Sequence, residues 1–451
     1  MKLKMASIFK LMSIVLLSML IACSNDSSNA DENSNSDENS NDNQDQSEDV
    51  KITFFNTSAE VNEVFENLFD KYEELNPNVT VELIPTPIGG AQIEKFQSLL
   101  ASGTPATIAN LDAGAILQYK DKFLDLESEK EKYEALTTPG TIDRVLLDGK
   151  YLGIPWTSQG YGLLYNKRVI EEATGESFDP SVTRTRDDLA ALFEEIDASG
   201  TAPVVIHGAD WSLGSHYTGL GYALQSRDVE ENLAFVEELK NGNVVLSDNP
   251  QFNGLMDTFD LLKKYNLRKD DPLVSDYNLD STAFAKGEAA FYFMGDWTWA
   301  VIGQLEGRDE EFGVIPVPIS NNPEDYGNSQ IAFSEPKLFA IDDTESTEAQ
   351  QQAAKELIEW MLTSEEGQTA IITEMGLNMP YNDLKAESPN VISNSVSEYV
   401  QRGDVISISV MNYFQPDWWS KVGASMQKYL SDNIEREELY NEFEDYWEST
   451  K

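Results

Sequence analysis

Two histidines, His207 and His216, and one cysteine, Cys23, are the chain's whole stock of the usual metal-ligating and nucleophilic side chains beyond acids and hydroxyls. A single cysteine removes intramolecular disulfides, cysteine-based zinc sites and iron–sulfur clusters together. The spacings HExxH, GxxxxGK[ST], GxSxG and GxGxxG after a strand do not occur. Neither histidine lies in a nucleophile-elbow context, so a Ser-His-Asp hydrolase finds no local support. Paired carboxylates for glycoside hydrolysis are a stronger rival, because 79 acids supply many pairs. The same abundance keeps any one pair from standing out. The stretch 321–327, Asn-Asn-Pro-Glu-Asp-Tyr-Gly, lacks the ligand spacing of an EF-hand loop and reads as a turn. No metal and no cofactor is implied.

The eight tryptophans carry more information. In the helix expected near 416–430, Trp419, Val422, Met426 and Tyr429 share a face, which assigns Trp419 to the core. Trp418 falls about 100° away and is expected to open into a cleft. Trp447, in phase with Leu439, Phe443 and Tyr446, and Trp360, beside Leu357 and Met361, read as core. Trp156, Trp211, Trp297, Trp299 and Trp418 remain near turns or element ends. Large aromatics beside Asn, Asp and Gln suit a sugar, whose apolar ring face stacks on an indole while amides and carboxylates take its hydroxyls. Ordinary core packing is the competing reading for each of them.

These side chains must be positioned by alternating strands and helices. Residues 50–55 alternate as a strand; Thr57 and Glu60 have capping-box spacing; Val61, Val64, Phe65, Leu68, Phe69, Tyr72 and Leu75 recur at helical period. Asn76-Pro77 stops that helix, and 79–84 resumes a strand, making a βαβ unit with parallel strands. The pattern continues with a helix at Ile93, Phe96 and Leu100, a strand at 107–111, a hairpin turning at Asp148-Gly149, and a strand at 162–165 whose following helix closes at Gly175. A strand at 289–294 leads through Gly295-Asp296 into a helix, and 416–447 is helical. This is an α/β chain, with ligands expected at the carboxyl ends of strands.

The front end differs. Lys2, Lys4 and Lys10 precede an apolar run at 11–21 that is about half the ~20 residues a membrane span needs, so 1–22 reads as a secretory signal. Leu20-Ile21-Ala22-Cys23 resembles a bacterial lipobox, which implies cleavage before Cys23 and lipid on its sulfur; a plain secretory signal is the alternative. Residues 23–49, nearly all Ser, Asn, Asp, Glu and Gln, read as a disordered tether. With 79 acids against 32 bases the formal net charge is −47, which excludes nucleic acid as a partner and favours a soluble monomer.

Three stretches resemble the extracellular solute-binding proteins of bacterial ABC transporters, in the carbohydrate-binding group that includes maltodextrin- and multiple-sugar-binding proteins. They are Gly-Ile-Pro-Trp-Thr-Ser-Gln-Gly-Tyr-Gly-Leu-Leu-Tyr-Asn-Lys at 153–167, Phe-Ala-Lys-Gly-Glu-Ala-Ala-Phe-Tyr-Phe-Met-Gly-Asp-Trp at 284–297, and Trp-Met-Leu-Thr-Ser-Glu-Glu-Gly-Gln at 360–368. The resemblance implies a two-lobed periplasmic-binding-protein-like α/β fold with the ligand in the cleft. It places 50–157 plus 331–373 in one lobe and 158–330 plus 374–451 in the other, with crossings near 156–159, 331–333 and 373–379. By position it implies Trp297 as a stacking residue, Gln159 and Trp156 at the first crossing, Trp418 in the cleft, and Asp112 as a hydroxyl-binding acid. Asn56, Ser58 and Glu60 would contribute from the first strand–helix junction. Trp211 and His207 lie where relatives vary, and Asp296 is either a hydroxyl ligand or a helix cap. The implied protein is not an enzyme. It captures an oligosaccharide at the outer face of the cell membrane, held there by lipid on Cys23, and passes it to permease subunits. A non-sugar solute such as a peptide or polyamine, and a secreted glycosidase, stay open beside it.

Overall fold

β1 (Val50–Asn56) runs parallel to β2 (Val79–Pro85), in register from Val50 opposite Val79 to Asn56 opposite Pro85, with the helix Asn62–Leu75 between them. The expected βαβ unit is therefore present. The computed structural model describes residues 49–86 and 92–451; the expected signal, Cys23 and almost all of the tether lie outside them. The capping box at Thr57 does not form. Thr57 Oγ1 instead donates to the Asn110 carbonyl at 2.7 Å, and Asn56 makes the local turn by accepting from the Ser58 amide at 3.0 Å. The helical turn Ala59–Val61 begins one residue later than that spacing implies, with Ser58 at its N-cap and no side-chain cap.

The remaining described strands follow in chain order: β3 (Ile108–Asp112), β4 (Ile154–Pro155), β5 (Gln159–Asn166), β6 (Ala202–Ile206), β7 (Ala289–Gly295), β8 (Phe312–Ile315), β9 (Ile331–Ser334), β10 (Lys337–Ile341) and β11 (Val405–Ser407). They form two mixed sheets. One has the order β2-β1-β3-β10-β4; the other has β11-β9-β5-β7-β6, with β8 also paired to β5. The expected turn at Asp148-Gly149 is made, with both residues at positive φ (49° and 74°) and Leu147 bridged to Lys150. That is the backbone a two-residue Asp-Gly hairpin turn requires.

Each sheet has its own core. Around the first, Phe54 of β1 packs on Phe65 and Phe69 of the helix at 5.1 and 5.0 Å, and Trp156 stacks on Phe339 of β10 at 5.0 Å and 13°. The second sheet is covered on both faces, by one cluster around Phe193, Tyr217, Phe259 and Trp447 and another around Phe284, Tyr292 and Ile392. Trp447 is buried, as its helical phase predicts.

The chain passes between the two halves three times. It leaves the first sheet at Pro155 and enters the second at Gln159, then returns between Ser334 and Lys337. The expected return at 331 is thus β9 itself, still in the second sheet, because its backbone pairs with β5 at Gln159, Gly160 and Tyr161. The expected third crossing at 373–379 also comes later. Met375, Leu377, Met379 and Tyr381 still pack in the first core, and Ile392 and Val396 are the next to join the second. The Ser158 amide donates to the Asn378 carbonyl at 2.9 Å, so the first passage is joined to the segment that leads into the third.

Candidate functional site

At the carboxyl ends of β6 and β7, beside the start of the antiparallel β5, six rings converge from distant parts of the second half. Tyr161, third in β5, sits opposite Gly295; His207 follows β6; Trp211 and His216 ride on the wide-pitched helix Trp211–Thr218; Tyr277 begins the helix Tyr277–Ala285; Trp297 follows β7. Trp297 lies 4.9 Å from His216 at 32°, and Tyr161 meets both edge-on, at 4.9 and 6.0 Å. Trp211 lies 5.0 Å from His207, 5.4 Å from His216 and 6.0 Å from Tyr277. Trp211, His216, Tyr277 and Trp297 are half-buried and form the front of this wall; Tyr161 and His207 are buried behind it. Aromatic pairs at these separations hold one another in place.

Glycines make the wall possible. A Cβ on Gly295 would fall 2.0 Å from the Trp297 ring, so the indole lies over the one residue type that leaves it room. The helix carrying Trp211 and His216 is pressed backbone to backbone against the helix Trp418–Leu430: a Cβ on Gly214 would meet the Trp419 carbonyl at 2.0 Å, and one on Gly423 the Asp210 carbonyl at 2.3 Å. A wide helical turn of this kind is rare and concentrates at functional sites.

The facing surface belongs to the first half and is polar. Asn110 Nδ2 donates to Asn56 Oδ1 at 2.8 Å and to Ser58 Oγ at 3.3 Å, and Trp156 Nε1 donates to Asn110 Oδ1 at 2.9 Å. Glu60 and Asp112 are exposed, and Lys337 Nζ bridges Asp112 and Thr57 at 3.1 Å each. Their charges reach the wall: Asp112 acts on His216, and Glu60 on the Tyr277 phenol. Burial dominates at His216 and pushes its imidazole down to about 4, and its Nδ1 is enclosed without a partner. The halves also touch where Gly114 approaches the Asn412 carbonyl, which a Cβ would meet at 3.1 Å.

Several expected site residues sit elsewhere. Trp156 is wholly enclosed between Phe65 and Phe339, so it reaches the polar surface only through its bond to Asn110. Trp418, expected in the cleft, is 4 % exposed and packs edge-on against Phe414 at 4.7 Å, whereas Trp419, expected in the core, is 36 % exposed. The buried face is Trp418, Val422, Ser425, Met426 and Tyr429, because the close approach at Gly214 and Gly423 sets the helix's rotation. Trp299 is core, against Phe312. Gln159 is half-buried where β5 leaves the first crossing.

Asp296 does not cap its helical turn. Its Oδ2 accepts from Ser393 Oγ at 3.2 Å and Asn378 Nδ2 at 3.3 Å, Oδ1 is enclosed without a partner, and burial pushes its carboxyl up to about 7. It binds the third passage to the end of β7. Tyr161 and Tyr277 are wall residues that the sequence does not mark, and His216 stands out there only as one of two histidines. Gly160 and Gly162 flanking Tyr161 are the one local signal that could have marked it.

Ser275, His207 and Asp280 lie together, but not as a hydrolytic triad. Ser275 Oγ and Asp280 Oδ2 both approach His207 Nδ1, each at 2.9 Å, whereas a triad needs them on opposite ring nitrogens. Among the described residues, no group of three or more His, Cys, Asp or Glu is arranged to hold a metal ion, and no helix is long and apolar enough to cross a membrane. A cavity of about 320 Å³ at the crossings, bordered by Ser158, Phe333, Asn378, Tyr381 and Val396, includes none of the wall residues and has no charged lining. Convergent rings facing polar groups mark the site better than enclosed volume does.

The family described as bacterial extracellular solute-binding protein matches residues 67–396. The chain belongs to this family. Similar curated proteins include an uncharacterized ABC transporter extracellular-binding protein of Pyrococcus horikoshii, 24% identical over 60% of this chain and 61% of that one. A multiple sugar-binding protein of Streptococcus mutans is 24% identical over 59% of this chain and 62% of its own length. The chain thus spans about three-fifths of the length of these relatives. Among solved structures, the solute-binding protein RafE in complex with raffinose matches with a TM-score of 0.70 at 18% identity, over 89% of this chain and 99% of that one. A Bacillus licheniformis sugar transporter in complex with stachyose matches at 0.66 and 17%, over 89% and 100%. At this identity the likeness establishes the fold: two α/β halves of the solute-binding type.

Proposed function

We propose that this solute-binding protein captures an oligosaccharide between its two halves and hands it to the permease of an ABC importer. The observation that carries the reading is the wall of rings at the strand ends, set opposite amides, hydroxyls and carboxylates. Half-buried Trp211, Tyr277 and Trp297 offer apolar faces to sugar rings, while Ser58, Glu60 and Asp112 offer partners for hydroxyls. The raffinose and stachyose complexes of structurally similar proteins support the same class of ligand. The two lobes correspond to the expected 50–157 with 331–373 and 158–330 with 374–451, except that β9 goes with the second and Met375–Tyr381 with the first. Binding needs no chemistry, because a ligand that touches both halves only when they are together biases a hinge equilibrium. The protein works as a monomer at the outer face of the membrane, exported by residues 1–22 and anchored through lipid on Cys23.

A cationic solute such as a polyamine is the second reading, favoured by Glu60 and Asp112 facing aromatic rings. Calorimetric titration with raffinose, stachyose, maltotetraose, chitotetraose and spermidine separates the two. Saturable heat with an oligosaccharide alone supports the proposal; saturation with spermidine alone replaces it. Prolonged incubation with the bound sugar should return it uncleaved, and release of shorter sugars would point to a glycosidase.

A further inference from the structure

The two histidines, 451 residues' entire supply, both stand in the aromatic wall, and one of them is wired into a buried polar cluster. His207 Nδ1 lies 2.9 Å from Asp280 Oδ2 and 2.9 Å from Ser275 Oγ. Ser275 Oγ accepts from the Gly208 amide at 2.9 Å and directs its own proton to Asp280 Oδ2. Arg268 Nε donates to Asp280 Oδ1 at 2.7 Å. Asp280 has no exposed surface, and these three donors hold its carboxyl below the usual range against the opposing effect of burial.

Counting protons fixes the ring. An ionised carboxylate only accepts, and the Ser275 proton is already committed to it, so His207 Nδ1 must carry a hydrogen. Arg268 Nε pairs with the other oxygen of the same carboxylate. In the neutral ring Nε2 is then a bare acceptor. It has no hydrogen-bond partner among the described residues, and the ring is 4 % exposed. The ring that carries it lies 5.0 Å from Trp211 and 5.9 Å from Tyr277, directly behind the front of the wall.

We propose that His207 Nε2 is a fixed hydrogen-bond acceptor for one hydroxyl of the bound oligosaccharide, and that Asp280 is the positioning residue that sets its tautomer. The inference rests on the oligosaccharide reading above and adds a specificity determinant to it: a sugar lacking a hydroxyl at that point leaves a buried acceptor unpaired.

Long-range proton–nitrogen NMR of the histidine-labelled full chain reads the tautomer without any ligand. The expected spectrum has Nδ1 protonated; a neutral ring protonated at Nε2 overturns the proposal. Affinity for whichever of raffinose, stachyose, maltotetraose or chitotetraose saturates the wild type then tests the contact. His207→Asn keeps a group facing Asp280 but offers nothing to the wall, and should bind roughly ten-fold more weakly with a near-native melting temperature. His207→Gln, whose amide reaches the Nε2 position, should recover part of the loss. Asp280→Asn should release the tautomer and weaken binding; if it fails to fold, the two His207 variants carry the test alone. Unchanged affinity in His207→Asn, or equal losses in both His207 variants, overturns this inference while leaving sugar binding intact. Silence of the wild type to every sugar overturns the oligosaccharide reading, and this inference with it.

Discussion

Trp297 and Trp156 are both tryptophans beside strand ends, yet their surroundings predict opposite consequences of removal. Trp297 is half-buried over Gly295 and faces the opposite half, so Trp297→Ala should weaken oligosaccharide binding about ten-fold or more while the fold survives. Trp156 is enclosed and holds Asn110, so Trp156→Ala should cost on the order of 3–5 kcal/mol of stability. Denaturation and calorimetry on the two variants check the contrast. Asp296 adds a pH dependence. Its carboxyl is raised from 3.8 to about 7, so its contribution is whole below about 3.8 and fades as pH climbs through 7. Asn imitates the protonated acid, hence Asp296→Asn should gain melting temperature relative to wild type between pH 5 and pH 8. A difference independent of pH would contradict this. His216, lowered from 6.5 to about 4, works with the opposite sign and costs stability as pH falls between those values. At this scale Trp297 is legible through the resemblance of the stretch at 284–297 to the family, since burial of a single tryptophan is otherwise as good a reading. Tyr161, His216 and Tyr277 are not, because their closeness depends on three elements far apart in the chain.

The wall is carried by elements locked through glycine, and that is where element-scale substitutions should be felt. Gly214→Ala or Gly423→Ala would drive a methyl into a backbone carbonyl and force apart the helices Trp211–Thr218 and Trp418–Leu430. Overpacking of this kind costs about 1–3 kcal/mol, and it should also weaken sugar binding because Trp211 and His216 ride on the displaced helix. Gly403→Ala is the control. It has φ of 73° and open space around it, so it should lose some stability and leave affinity unchanged. Melting curves and titrations of the three variants decide the matter. The alternation of strands and helices is readable from periodicity, as the βαβ unit from Val50 to Pro85 shows. Helix rotation is less so. Trp419, Val422 and Met426 describe one apolar stripe, and Trp418, Val422, Ser425 and Met426 another, about 100° apart at the first turn. Contact between Gly423 and the Asp210 carbonyl decides between them, and no pattern within the helix contains it.

Across the whole molecule, two sheets with separate cores are joined by three passages, the first of them bonded at Ser158 to Asn378 on the segment that leads into the third. Such a joint can bend while both cores stay intact, which is the mechanical requirement for capture by closure. Here the resemblance of three short stretches to the family supplied what periodicity could not. Local pattern reveals an α/β chain, but the allocation of segments to two halves depends on long-range pairing such as β9 with β5. On the proposed reading, the rings on one half and the polar groups on the other close on an oligosaccharide. Intrinsic tryptophan fluorescence, titrated with α- and β-linked oligosaccharides and their monosaccharides, tests it most directly, since Trp211 and Trp297 stand in the wall itself. A saturable change in emission with one linkage class of oligosaccharide is the expected result. Emission that stays constant across the whole panel would contradict it.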